Sequence, residues 1–286
     1  MSQDWPNKVA QQLLSKGLIK TGTCLILGAS DTGKTTLAEA LAKHAASSQP
    51  VGIVDADIGQ SHIGPPTTVG SAVIDNPQVD FSELTASGIS FVGDVTPTGH
   101  LLQLTAAILQ CTRQASTVAK LTIIDTPGFI CGPAAAALWW TVQCMIKPKL
   151  IVAVQKNNEL SDILAGLQFL ESRIEIIKAP QQIPAKSPQK RQGYRKKLFS
   201  KYFQNSRLYN IRLSKVSVQM NRNLSSESRI HRLAGLRNKN GIDVAIGTIT
   251  SWQNDKGIVV IRAPKVDIEQ IHCIVIGDVT IDIFDE

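Results

Sequence analysis

The stretch that decides the fold is LILGASDTGKTT, residues 25–36, in which an apolar run enters a glycine-rich turn that ends in Lys-Thr-Thr. Its spacing matches G-x-x-x-x-G-K-[ST], from Gly28 to Thr35. Glycines at both ends of such a loop allow successive backbone N–H groups to point inward at an anion. The apolar run before the loop predicts a strand, and TTLAEALAKHAAS (35–47) predicts a helix, the context that this motif needs. We therefore expect the loop to bind a nucleoside triphosphate.

Two side chains of this P-loop have specific expected roles. Lys34 can reach the β- and γ-phosphates, and the hydroxyl of Thr35 is suited to bind Mg²⁺. The helix that follows adds the positive end of its dipole to the same site. The residues predicted to bind the nucleotide are Gly28, Ala29, Ser30, Asp31, Thr32, Gly33, Lys34, Thr35 and Thr36.

A second group of polar residues follows the next predicted strand, in VDADIGQSHIGPP (54–66). Ligands of open α/β sheets bind beyond the carboxyl ends of the strands, so we expect Asp55 and Asp57 beside the P-loop. Both are predicted to be catalytic, one as the partner of the metal and the other as the partner of the attacking hydroxyl. Either assignment is open, and we favour Asp57 for the metal and Asp55 for the hydroxyl. His62 is expected near the same end of the sheet, although a single histidine more often has a structural role.

A third strand, LTIIDTPGFI (121–130), leads to Asp125 and resembles the second metal-associated strand of P-loop proteins. Residues 125–128 also match the D-x-x-G motif of GTPases. A GTPase would carry N-K-x-D after the next strand, but there the sequence is VAVQKNNELSD (152–162), with no Asp at the required offset. The motif that reads guanine is therefore missing, and the D-x-D pair has no place in the GTPase pattern.

The order of apolar runs and helical segments predicts an α/β fold with a doubly wound, mostly parallel sheet. The predicted strands lie in CLILG (24–28), PVGIVDAD (50–57), ISFVGDV (89–95), LTIIDTPG (121–128), LIVAVQ (150–155) and IEIIKAP (174–180). The predicted helices are Asn7–Lys16, Lys34–Ser47, Gly99–Thr117, Gly132–Ile146 and Asn158–Glu171. After about residue 205 the chain changes to alternating strands and turns, which predicts a small C-terminal β domain.

We therefore expect three regions, an N-terminal helical segment (1–20), a P-loop domain (21–205) and a β domain (206–286). Between 179 and 190, three prolines predict a connector that leads into a basic lid over 186–203.

The net charge of +7 arises from one stretch, residues 176–226, which has 12 Lys or Arg and no Asp or Glu. The rest of the chain has 18 basic and 23 acidic residues, a net charge of −5. Such a patch favours a polyanionic partner, although a solvated basic loop would have the same composition.

Cysteine usage and hydropathy favour a protein of the cytoplasm. No apolar run approaches the roughly 20 residues needed to span a bilayer, and the N-terminus lacks a signal-peptide core. The cysteines are odd in number and scattered, at Cys24, Cys111, Cys131, Cys144 and Cys273. We expect free thiols in a reducing compartment.

The lid is predicted to be a helix with two functional faces. Leu198, Phe199, Tyr202 and Phe203 recur at i, i+1, i+4 and i+5, which gives an apolar stripe that can dock. Arg191 and Arg195 share another face and are predicted to reach the γ-phosphate as catalytic residues. Alternatively, the helix is a basic surface element whose arginines meet only solvent or nucleic acid.

These motifs together resemble the polynucleotide 5′-hydroxyl kinases related to the eukaryotic RNA kinase of the pre-mRNA cleavage and tRNA-splicing machinery, and to the ribosomal-RNA-processing kinases. The matching elements, in order, are the P-loop, D-x-D-x-G-Q (55–60), the GPP turn (64–66), FVGDVTPTGH (91–100), the clasp TPGF (126–129) and the lid KRQGYRKKLFSKYF (190–203). The chain looks like a compact prokaryotic member.

The resemblance implies an ATP- and Mg²⁺-dependent kinase that phosphorylates the 5′-hydroxyl end of a nucleic acid, RNA more than DNA. It implies substrate contacts by Gln60, Thr126, Gly128, Phe129, Lys196, Lys197 and Lys201. Phe129 stands where eukaryotic members favour Trp, so aromatic stacking is kept without an indole N–H donor. Asp31 adds a negative charge to the P-loop, and we expect its carboxylate to point outward. No membrane contact is expected, and the sequence identifies no protein partner.

Two other functions fit parts of this pattern. One is a nucleotide-dependent RNA-binding or assembly factor, or a GTPase-like ATPase, that hydrolyses the nucleotide slowly and transfers nothing. The other is a kinase of small molecules on the same core, against which the basic stretch argues. Transfer of label from the γ-phosphate to an oligonucleotide distinguishes the first from a polynucleotide kinase.

Overall fold

The computed structural model describes residues 4–220 and 224–281 of the 286-residue chain. The ends of the predicted N-terminal segment and β domain lie outside the described residues. The helices are α1 (Trp5–Ser15), α2 (Lys34–Ala46), α3 (Leu101–Ser116), α4 (Gly132–Ile146), α5 (Ser161–Leu167) and α6 (Pro188–Phe203). None of the helices in the described part is long and apolar enough to cross a bilayer.

Seven strands belong to the first part of the chain. They are β1 (Gly22–Gly28), β2 (Val51–Asp55), β3 (Thr68–Ile74), β4 (Gly88–Phe91), β5 (Leu121–Asp125), β6 (Leu150–Gln155) and β7 (Arg173–Lys178). Five of them form a parallel sheet in the order β7-β6-β1-β5-β2. Every residue of β2, β5 and β6 is buried, as expected for parallel strands covered on both faces.

Two apolar layers cover this sheet. On one face, α1 and α2 pack over the strands around Leu13, Leu37 and Leu41. On the other face, α3, α4 and α5 pack around Ile108 and Trp139. The prediction of a doubly wound α/β fold is therefore confirmed.

The sheet continues beyond β2 through β3 and β4, which pair antiparallel. Our sequence analysis missed β3, TVGSAVI, because Gly and Ser in its middle weaken the strand pattern. Gly70 is required there, since a Cβ at this position would lie 2.0 Å from the carbonyl oxygen of Ile63. This close approach folds the segment after β2 back onto the sheet.

The predicted helix over Asn158–Glu171 is shorter than expected, since α5 covers only Ser161–Leu167. The carboxylate of Glu159 accepts hydrogen bonds of 2.8 Å from the backbone N–H groups of Lys156 and Asn157. These bonds close a turn before the helix begins.

The C-terminal strands are β8 (Arg207–Arg212), β9 (Ser217–Met220), β10 (Arg232–Arg237), β11 (Asp243–Gln253), β12 (Ile258–Ala263) and β13 (Cys273–Thr280). They surround an apolar cluster of their own, which includes Leu236, Ile249 and Ile274. Their link to the first part of the sheet is the antiparallel pairing of β11 with β4, at Asp243 and Ile89. The domain boundaries themselves stay a prediction.

Close packing at the junction between β4 and the C-terminal strands holds the two parts together. The buried ring of Phe91 lies against Gly235 and Gly277, where a Cβ at either position would lie 2.8 Å from the Phe91 side chain. The carboxylate of Asp243 accepts hydrogen bonds from the backbone N–H of Phe91, at 2.8 Å, and from Arg237 Nε, at 3.1 Å. Burial raises the pKa of Asp243 to about 6, although Arg237 opposes the shift.

We predict that Gly277→Ala destabilises the protein. The new Cβ would lie 2.6 Å from the carbonyl oxygen of Gly93, which is backbone and cannot move aside cheaply. We expect a loss of about 1–3 kcal/mol, the usual cost of overpacking.

Gly166→Ala is the matched control, because Gly166 lies in α5 with nothing within 4 Å of an added Cβ. Alanine is the better helix former, so this variant should gain up to about 1 kcal/mol. Denaturant midpoints measure both changes, and equal stability of the two variants would contradict the proposed packing.

Candidate active site

The P-loop runs from the end of β1 to the start of α2. Gly28 is required because a Cβ there would lie 2.4 Å from the carbonyl oxygen of Val154. Gly33 has a φ of +90°, which favours glycine, and α2 begins directly after it. The buried Lys34 folds back so that its Nζ donates a 2.7 Å hydrogen bond to the carbonyl oxygen of Ala29. The lysine side chain therefore lies along the loop that would hold phosphate.

Two carboxylates meet at the ends of neighbouring strands. Asp55 at the end of β2 is in register with Asp125 at the end of β5. The hydroxyl of Thr35 donates a 2.5 Å hydrogen bond to Asp125 Oδ2, while Oδ1 is buried and has no hydrogen-bond partner among the described residues. A carboxylate oxygen without a partner, beside a hydroxyl, suits a divalent cation.

The charges of Asp125, Asp55 and Lys34 act on one another at this site. Burial raises the pKa of Asp125 to about 7, and the neighbouring Asp55 adds to the shift, whereas Lys34 and Thr35 oppose it. Burial lowers the pKa of Lys34, against the attraction of Asp125, Asp57 and Asp31. Our predicted site residues omitted Asp125, although its signal was present in the apolar run that ends in D-x-x-G.

Asp55 organises the loop that follows it. Its carboxylate accepts hydrogen bonds from the backbone N–H groups of Asp57, at 3.1 Å, of Ile63, at 3.0 Å, and of His62. The side chain is buried, and burial raises its pKa to about 7, while these N–H donors oppose the shift. These contacts engage both carboxylate oxygens of Asp55 within the loop.

Asp57 has the opposite environment. It is half-buried, and its Oδ1 accepts hydrogen bonds from the backbone N–H groups of Gly59, at 3.1 Å, and Gln60, at 3.0 Å. It also faces a cavity of about 280 Å³. The cavity is lined by Ser30, Asp57, Gly59, Gln60, Val95, Thr96, Pro97, Pro127, Gly128, Phe129, Arg191 and Arg195. The P-loop, the D-x-D loop, the clasp and the lid thus share one cavity.

Within the clasp, Gly128 and Phe129 line this cavity but Thr126 does not. Thr126 is buried, and its hydroxyl donates a 2.7 Å hydrogen bond to the carbonyl oxygen of Ile26, so it attaches the clasp to β1. Gly128 must be glycine, since a Cβ would lie 2.2 Å from Ser30 Oγ in the P-loop. Thr126 therefore has a supporting position, whereas we predicted a contact with substrate.

The lid is helix α6, and three of the four residues of its predicted apolar stripe, Phe199, Tyr202 and Phe203, dock, whereas Leu198 is half-buried and lies outside their cluster. Phe199 and Phe203 are buried where α6 meets the junction of the two parts of the sheet, in a cluster with Phe91, Leu233, Ile246 and Ile281. The hydroxyl of Tyr202 accepts a 2.9 Å hydrogen bond from the backbone N–H of Ile246. Lys196, Lys197 and Lys201 lie on the exposed side of α6 and do not line the cavity.

The other end of α6 reaches the P-loop. Arg191 Nη2 lies 2.7 Å from Asp31 Oδ2, so the carboxylate that we expected to point outward meets the lid and is only 10% exposed. The reason is electrostatic, because the arginine of the lid attracts this carboxylate. The hydroxyl of Tyr194 donates a 3.1 Å hydrogen bond to the carbonyl oxygen of Ser61.

His62 is placed beside this contact. Its ring lies 6.1 Å from that of Tyr194, and its Nδ1 is buried without a partner in the described part of the chain. Because the backbone N–H of His62 also binds Asp55, this residue supports the shape of the D-x-D loop.

Comparisons with known proteins identify relatives of this chain. A polyribonucleotide 5′-hydroxyl-kinase of Pyrococcus abyssi is 32% identical over 204 residues, which cover 71% of this chain and 56% of that protein. One of Methanocaldococcus jannaschii is 32% identical over 198 residues, which cover 68% and 54%. This chain therefore spans little more than half the length of these curated relatives.

The fold has a counterpart among solved structures. A structure of a Clp1p–Pcf11p complex matches with a TM-score of 0.74 at 11% identity, covering 98% of this chain and 79% of that one. At this identity the match concerns the fold alone. The family model described as mRNA cleavage and polyadenylation factor CLP1 P-loop matches residues 28–205, well over half of the sequence. The chain therefore belongs to the CLP1 P-loop family.

Proposed function

We propose that this protein transfers the γ-phosphate of ATP to the 5′-hydroxyl end of RNA. The observation that carries this proposal is the single cavity in which the P-loop residue Ser30, the carboxylate of Asp57 and the lid arginines Arg191 and Arg195 meet. A site for phosphoryl transfer needs a phosphate cradle, a group that orients the nucleophile and cations around the transferred group. The activity named for the relatives from Pyrococcus and Methanocaldococcus supports the same reaction.

Different residues of the chain would bind different parts of ATP during phosphoryl transfer. Backbone N–H groups of the P-loop and the ammonium of Lys34 would bind the β- and γ-phosphates. The guanidinium groups of Arg191 and Arg195 would bind oxygens of the γ-phosphate from the lid side. Closure of the lid would exclude water and favour transfer over hydrolysis.

A magnesium ion fits this site beside the carboxylate of Asp125. Thr35 and Asp125 would hold it, because Asp125 Oδ1 is buried without a partner in the described part of the chain and its neighbour Oδ2 accepts from Thr35. Asp57, our predicted metal partner, faces the same region. Its negative charge attracts the ammonium of Lys34 and opposes the lowering of the Lys34 pKa. When bound, Mg²⁺ would neutralise charge on the phosphates.

Asp57 is the better candidate to meet the attacking hydroxyl. It faces the cavity, whereas Asp55 is buried and bound by backbone N–H groups. The 5′-oxygen would form a bond to the γ-phosphorus while the bond from that phosphorus to the bridging oxygen of ADP breaks. The hydroxyl proton would pass to Asp57. This proposal moves the role first expected of Asp55 to Asp57 and leaves Asp55 to support the loop.

A nucleic acid is the proposed partner because the outer side of the lid is basic, and the activity named for the relatives favours RNA. Lys196, Lys197 and Lys201 are exposed, and Phe129 in the cavity offers a ring on which a base can stack. Contacts of lysine with phosphates act on every sequence alike and weaken as salt rises. We further propose that the protein acts in the cytoplasm, which its free cysteines support.

Label transfer tests the proposed reaction. With γ-labelled ATP and Mg²⁺, we expect label to enter an RNA oligonucleotide with a 5′-hydroxyl end but not the same oligonucleotide with a 5′-phosphate. A DNA oligonucleotide of the same sequence should accept less label. Lys34→Ala should lose nearly all transfer, because the charge on the transferred group is no longer neutralised. Release of label only as inorganic phosphate would favour a nucleotide-dependent assembly factor.

Substitution of the two aspartates separates their roles. Asp57→Asn should lower turnover by at least about 100-fold, the scale for losing a general base, with an unchanged melting temperature. Asp55→Asn places an amide NH₂ where backbone N–H groups need an acceptor, so about 1–3 kcal/mol of stability should be lost. Thermal melting and steady-state kinetics measure both. A stable Asp55→Asn with lost turnover would assign the hydroxyl to Asp55, as first expected, and an active Asp57→Asn would contradict the role proposed for Asp57.

A further inference from the structure

The contact between Asp31 and Arg191 joins two segments that are 160 residues apart in the chain. The Asp31 side chain is 10% exposed and that of Arg191 is 30% exposed. A distance of 2.7 Å between a guanidinium nitrogen and a carboxylate oxygen is typical of a charge-assisted hydrogen bond. The contact therefore differs from a loose ion pair on an open surface.

The same carboxylate oxygen also holds the start of the lid. Asp31 Oδ2 accepts a 3.2 Å hydrogen bond from the backbone N–H of Lys186, just before Ser187, which caps α6. One carboxylate thus binds both the segment that enters the lid and the arginine of its first turn. The backbone of Asp31 has a φ of +56°, a left-handed conformation that few residues other than glycine, Asn and Asp adopt readily.

Arg191 also lines the cavity and keeps a donor that no described residue uses. Its Nε is buried and makes no hydrogen bond to the described residues, and its side chain lines the cavity beside Ser30. A guanidinium has five donors in a rigid plane, so a bond from Nη2 to Asp31 fixes the direction of the others.

We propose that Asp31 is a positioning residue that holds the lid against the P-loop and fixes the guanidinium of Arg191 for the γ-phosphate. The proposal rests on the proposed function for the identity of that ligand. The lid has further attachments, among them the Tyr194 hydroxyl on Ser61, the Tyr202 hydroxyl on Ile246 and the buried Phe199 and Phe203 at its far end. Asp31 controls the end of the lid that lies over the phosphates.

Two consequences follow for Asp31→Asn. The carboxamide keeps the shape and the left-handed backbone but loses the charge, so the first turn of the lid should separate from the P-loop more often. Water should then reach the cavity, and Arg191 should lose its fixed direction. We expect the ratio of RNA phosphorylation to ATP hydrolysis to fall at least fivefold, with little change in KM for ATP.

Amide hydrogen exchange tests the contact without reference to catalysis. In the nucleotide-free protein, exchange over residues 186–195 should become about tenfold faster in Asp31→Asn, the scale for losing one hydrogen bond between charged groups. Lys190→Gln is the matched control, because it removes a lid charge next to Arg191 and leaves the Asp31 contact intact. Its exchange should equal that of the wild type.

A double-mutant cycle shows whether the two residues act as a pair. Arg191→Gln alone should raise exchange as much as Asp31→Asn, and the double variant should exchange no faster than either single variant. Additive effects, or wild-type exchange in Asp31→Asn, would overturn the proposal. If the lid behaves as expected and the wild type still transfers no phosphate, the proposed reaction fails and the contact stands.

Discussion

Burial of two carboxylates side by side, at the ends of β2 and β5, is the constraint on which the rest of the site depends. Asp55 and Asp125 are in register on adjacent strands and almost inaccessible to water. Two such charges repel each other and lose hydration, so each needs compensation from its surroundings. The solutions differ. Asp55 is bound by backbone N–H groups of its own loop, whereas Asp125 has the hydroxyl of Thr35 and the nearby charge of Lys34.

This division explains why one carboxylate supports the structure and the other suits a cation. The N–H donors around Asp55 shape the loop that presents Asp57 to the cavity. Asp125 keeps one oxygen without a partner among the described residues, directly beside the P-loop. A divalent cation would offset the excess of negative charge that burial leaves there. The lid lines the cavity from the other side with Arg191 and Arg195. The buried Phe199 and Phe203 at its C-terminal end connect it to the C-terminal strands.

The sequence predicted the features that depend on local signals. The P-loop, the parallel strands and the helices follow from glycine spacing and from apolar runs, and the family resemblance was confirmed. The sequence could not predict contacts across long separations. The pairing of Asp31 with Arg191 forms only when the lid folds back over the P-loop, and no sequence pattern near Asp31 predicts it. The supporting position of Thr126 likewise depends on the neighbouring strand β1.

The most direct test of this account is to locate a cation in the site. Crystals grown with Mn²⁺ and a non-hydrolysable ATP analogue would give an anomalous difference peak at the position of the metal. Our account predicts this peak beside the Thr35 hydroxyl and the Asp125 carboxylate, with the phosphates of the analogue on the loop from Gly28 to Thr35. A peak elsewhere, for example among Asp94, His100 and Asp278, with none at Asp125, would contradict it.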